Sequence, residues 1–121
     1  MATELGRFLR KLRIDNDELL KDMASKLDVS PSMLSAIENG TRKATKALIE
    51  KVSKTYTLAL DQIQELEMAV AKTTEQVSIA LSNANESDKE LAVSFARSFD
   101  NLDEASKKRI REILNSNAMD E

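Results

Sequence analysis

Residues 19–40 read LLKDMASKLDVSPSMLSAIENG, and the fold turns on this stretch. Met23, Ala24 and Leu27 recur at helical spacing on one face. Met33, Leu34 and Ile37 repeat the pattern further on, with Asp28 and Val29 between the two runs. Ser30 is a capping residue for the helix opened by Pro31, and Gly40 ends that helix in a left-handed conformation. The spacing predicts two short helices, about 18–27 and 31–39, joined by about four residues.

Outward from this pair, Leu5, Phe8, Leu9 and Leu12 form an apolar stripe over 4–14, with Arg7, Arg10 and Lys11 left near solvent. The segment IDNDE that follows is a polar connection, with Asp15 or Asp17 able to cap the next helix. After Gly40, TRKAT is a basic turn into a helix near 45–55, where Leu48, Ile49 and Val52 face the core and Tyr56 closes the bundle. Residues 1–57 therefore read as one domain, which needs a further helix or a partner to enlarge its buried surface.

From Leu58 to about Leu81 neither Gly nor Pro interrupts the chain, which predicts one long helix. Ile63, Leu66, Val70, Thr73, Val77 and Ala80 alternate by three and four residues, a seam suited to a dimer, to a partner helix or to the chain's own last helices. SNANESDKE, 82–90, is the next break, with Ser87 and Glu90 placed as a capping box. Helices near 88–99 and 104–115, the latter capped by Asp103, then form a helical hairpin. Ile110, Ile113 and Leu114 mark the apolar side of the last helix, KKR at 107–109 is its solvated face, and 116–121 should fray. Residues 58–121 read as a helical extension for dimerisation or partner binding.

Composition narrows the function. Among 121 residues there is no Cys, His or Trp, so thiolate nucleophiles, imidazole bases and the usual zinc ligands are missing together. No calcium loop or phosphate-cradling glycine run occurs either, and the reading is of a non-enzyme without cofactor or metal. No apolar run approaches membrane-spanning length and no signal peptide opens the sequence, so a cytoplasmic, soluble protein is expected. Charge is divided: residues 1–57 hold 11 Lys/Arg against 8 Asp/Glu, and 58–121 hold 7 against 13. A modestly basic first half can meet phosphate while an acidic second half is kept away from it.

LRKLR at 9–13, MASKLDVS at 23–30 and MLSAIENG at 33–40 together resemble the Cro/repressor-type, or XRE-type, helix-turn-helix family of DNA-binding regulators, over about 4–57. The resemblance implies an all-α fold: a compact four- or five-helix repressor-like bundle with a helical C-terminal extension. It also implies that the helix opened by Pro31 enters the major groove. Pro31, Ser32, Ser35 and Ala36 then face the bases, while Ser30, Arg42, Lys43 and Lys46 meet backbone phosphate. It maps Arg13 and Glu38 to a structural ion pair tying the first helix to the end of the reading helix. This sequence departs from the family pattern at Leu20, where a phosphate-contacting Gln is usual, and at Asp28, where the turn usually has Gly.

The function expected is sequence-specific double-stranded DNA binding by a homodimeric repressor on an approximately symmetric operator. Two other functions fit the same residues. One is an antitoxin-like regulator whose residues 58–121 bind a protein partner; the other is a helical adaptor without strong DNA recognition.

Overall fold

The structure, a computed structural model, describes residues 3–119. Its regular elements are all helical: α1 Glu4–Asp15, α2 Leu20–Lys26, α3 Pro31–Glu38, α4 Lys46–Thr55, α5 Leu60–Thr74, α6 Glu86–Ser98, a 3-10 turn Phe99–Asn101, and α7 Glu104–Met119. Between Val77 and Ser78 the chain divides into two units.

In the first unit, α1 lies against both α3 and α5, and α2 lies against α3. Leu5, Leu9 and Leu12 of α1 meet Met23, Ala24 and Leu27, then Leu34 and Ile37, then Leu48 and Val52, in one apolar cluster completed by Leu66 of α5. Each helix reaches this cluster with residues spaced by three or four, so burial selects the face that the sequence marks as apolar.

Besides the end of α5, three helix boundaries differ from the sequence reading. Helix α2 begins at Leu20, and neither Asp15 nor Asp17 caps it; the Asp22 carboxylate accepts the Leu19 N–H at 2.9 Å. Helix α6 begins at Glu86, where Asn85 rather than Ser87 caps it, accepting the Asp88 N–H at 2.7 Å. The last helix continues to Met119; of the segment expected to fray, residues 120–121 lie outside the described ones.

The largest correction concerns the long helix over 58–81. Helix α5 stops at Thr74, and Glu75 follows with φ +59°. Two successive β-branched threonines weaken the helix here, and the Thr74 hydroxyl bonds back to the Val70 carbonyl at 2.8 Å. Val77 and Ala80 therefore lie past the helix and are exposed. Leu66 is wholly buried in the first unit's core, Ile63, Val70 and Thr73 are half-buried, and the Thr73 hydroxyl accepts the Leu5 N–H at 3.1 Å. The seam from Ile63 to Ala80 is thus not a free dimer surface, because α1 occupies its buried part. For the same reason the compact unit runs past residue 57 and includes α5.

In the second unit the helices have local caps, and among the described residues no apolar side chain is fully buried. The Asp103 carboxylate accepts the Ser106 N–H at 2.7 Å; the Ser106 side chain, and after it this backbone bond, hold the carboxyl below its ordinary range. Helix α6 buries no residue, and Ala92 of α6 and Ile110 of α7 are half-buried.

Candidate nucleic-acid interface

Helix α3 is fastened at both ends. At its start, the Ser30 hydroxyl accepts the Met33 N–H at 3.1 Å and lies 3.3 Å from the Ser32 hydroxyl. Pro31 at the first helical position has no N–H to leave unpaired. The chain enters through Asp28, at φ +58°, so Asp adopts the left-handed backbone where the related pattern has Gly. At its end, Asn39 caps the helix and Gly40 turns out at φ +82°. The Ala36 carbonyl then accepts the N–H of Thr41 at 3.0 Å and of Arg42 at 3.2 Å.

Arg13 and Glu38 meet. One guanidinium nitrogen donates to Glu38 Oε2, and the other donates to Oε1 at 3.2 Å. Arg13 is only 8% exposed and Glu38 7%, so the fork fixes the end of α3 against α1 in a dry setting. Breaking it by removing one partner would leave a buried, uncompensated charge.

Sequence reasoning missed the rest of this seat. The Thr3 hydroxyl, which caps α1 by accepting the Gly6 N–H at 2.9 Å, donates to the Glu38 carbonyl. A Cβ on Gly6 would lie 2.7 Å from that carbonyl oxygen, so the helices approach closely only because residue 6 has no side chain. The signal was a glycine inside an otherwise helical run.

A second polar clamp, also missed, ties the segment just before α2 and the last residue of α2 to the residue that follows α4. The Tyr56 hydroxyl donates to Glu18 Oε1 at 2.6 Å, and Lys26 forms an ion pair with Oε2. The Lys26 ammonium also stands 5.6 Å from the centre of the Tyr56 ring. Burial pushes the Glu18 carboxyl up, but the bonds from Lys26 and Tyr56 and the Lys26 charge outweigh it and hold the group below its ordinary value. Burial and then Glu18 push the Tyr56 hydroxyl up. No motif spacing marks these three residues; only the folded chain brings them together.

On the outer surface, Pro31 and Ser32 are exposed, whereas Ser35 and Ala36 are half-buried, less open than the sequence reading placed Ala36. Ser30, Arg42, Lys43 and Lys46 are all exposed. Lys43 reaches Gln76 at 3.1 Å, just past the end of α5. Lys46 opens α4, whose Thr45 cap accepts the Leu48 N–H at 3.1 Å. Neither α3 nor α4 has an acidic residue in its first turn, whereas α1, α2, α5, α6 and α7 each have at least one. Among the described residues no group of three or more His, Cys, Asp or Glu is arranged to hold a metal ion, and no helix is long and apolar enough to cross a membrane.

A short helix fixed over another, followed by a basic turn, defines the helix-turn-helix class of DNA-binding regulators. Residues 9–63 match the family described as Helix-turn-helix, of the XRE type. No curated protein and no solved structure matches the chain.

Proposed function

We propose that the protein is a sequence-specific, double-stranded DNA-binding transcriptional repressor that acts as a homodimer in the cytoplasm on an approximately symmetric operator. The observation that carries this reading is the seating of α3: its inner side is buried, its C-terminal end is pinned by Arg13–Glu38, and Pro31 and Ser32 are left exposed. A rigid helix of this kind can be presented to the major groove without being reordered on binding.

Ser32 offers the polar base contact, Pro31 and Ala36 offer shape and apolar contact to thymine methyl groups, and Ser35 flanks them. With so few polar readers, operator choice rests also on DNA shape, bridging water and half-site spacing. Arg42, Lys43 and Lys46 supply backbone contacts, with the Ser30 end of α3 beside them. Lys46 supports the reading, because a cation in the first turn of a helix is locally unfavourable and a bound phosphate would offset it.

Unbiased selection of bound double-stranded DNA tests this. Ser32→Ala should relax the selected sequence, and Arg42→Ala should weaken all sequences together with a smaller salt slope, by about 0.9. Failure of the wild type to enrich any sequence at moderate salt would favour the adaptor reading. The uncovered apolar faces of α6 and α7 also fit a regulator that binds a different protein there, which co-purification of a tight partner would favour.

A further inference from the structure

The apolar stripes of α6 and α7 cannot be brought level by the connection between them. On α6 the stripe is Leu91, Phe95 and Phe99, and on α7 it is Ile110, Ile113 and Leu114; all but the half-buried Ile110 are exposed. A hairpin of the two helices would have to reverse at the 3-10 turn that ends at Asn101. The α6 stripe is centred about 6 residues before that point and the α7 stripe about 11 after it, so an antiparallel hairpin leaves the two centres roughly 7 Å out of step. Phe95 would lie against Lys107, and Leu114 against Asp88.

A second copy removes this mismatch. We infer that residues 78–119 of two copies pair about a two-fold axis with their connections at opposite ends, α6 of each copy running parallel to α7 of the other. A shift of 19 positions then sets Leu91 level with Ile110, Phe95 with Leu114 and Asp88 with Lys107, and overlaps the two helices along their length. Charge agrees with this direction. The acidic half of α6, with Glu86, Asp88 and Glu90, comes beside the basic half of α7, with Lys107, Lys108, Arg109 and Arg111. The present partner of Lys107 is Glu104 at 3.5 Å, an exposed pair too weak to hold it. One acidic and one basic helix per copy make the surface complementary to itself, as a two-fold interface requires. The inference rests on the dimeric reading above and adds which residues meet.

The chain has no Cys, so introduced thiols report position cleanly. Ser98→Cys and Asn117→Cys, placed together in the full chain, are level across the inferred interface but roughly 20 Å apart along an antiparallel hairpin of one copy. Oxidation of the double variant should give a covalent dimer of twice the mass, and neither single variant should cross-link. An intramolecular disulfide, or a covalent dimer from Ser98→Cys alone, would overturn the arrangement. Light scattering of the wild type separates the two levels. A dimer whose double variant fails to cross-link overturns this inference and leaves the dimeric reading standing, whereas a monomer with and without DNA overturns both.

Discussion

Helices α3 and α6 both begin on a side-chain cap, Ser30 in one and Asn85 in the other, yet they differ in everything that follows. The shorter α3, of 8 residues, buries Leu34 and Ile37 and is pinned at its far end, while α6, of 13 residues, buries nothing. A cap and good propensity make a helix; they do not give it a place. In the first unit, place is fixed by a shared core and two charged clamps. In the second, each helix is defined locally and its apolar side awaits a surface.

Glu38→Ala should break this contrast most severely, because the Arg13 charge stays buried without its partner. The expected loss is about 3–5 kcal/mol, read by denaturant unfolding of the full chain. In α6, Glu90→Ala should move the same transition by less than about 0.5 kcal/mol. Equal effects would show that α3 is no better fastened than α6.

Gly6→Ala comes next. The added methyl meets the Glu38 carbonyl, and about 1–3 kcal/mol should be lost as α1 and α3 are forced apart. An unchanged thermal midpoint would mean that the seat yields easily. Ser30→Ala should remove about 1 kcal/mol through the lost cap. Asn85→Ala should instead reduce hydrogen-exchange protection in α6 while leaving the first unit's amides unchanged.

The smallest expected effect separates the regions by pH. The Glu18 carboxyl is held below its ordinary value of 4.5, so the stability it contributes is present above that pH and is lost as pH falls through the lower, folded value. Acid titration of the first unit's unfolding should therefore flatten in Glu18→Gln. An unaltered profile would remove Glu18 from the clamp.

The legible parts of the chain are those set by neighbours in sequence. Ser30, Pro31 and Gly40 bracket α3 because capping and turn preferences act within a few residues, and Leu34 and Ile37 mark its inner side by spacing alone. The Arg13–Glu38 pair came through family resemblance. What stayed hidden depends on contacts far apart in the chain: Thr3 on Glu38, Thr73 on Leu5, and Tyr56 on Glu18. The end of α5 was misread for a different reason. No Gly or Pro stands there, and the stop comes from Thr73, Thr74 and a left-handed Glu75, a combination that an uninterrupted run of helix formers conceals.

Among the described residues, Glu75 is one of four non-glycine residues with positive φ, together with Asp17, Asp28 and Thr57. Each follows a helix of the first unit. Thr57, branched at Cβ, is the least suited to that backbone. Holding an L-residue there costs roughly 1–2 kcal/mol, less for Asp, and Gly would relieve it while loosening the unfolded chain. The four connectors therefore form a mutational reserve: single exchanges at the helix exits can retune how long the domain survives unfolding while leaving the side chains of α3 and the basic turn unchanged.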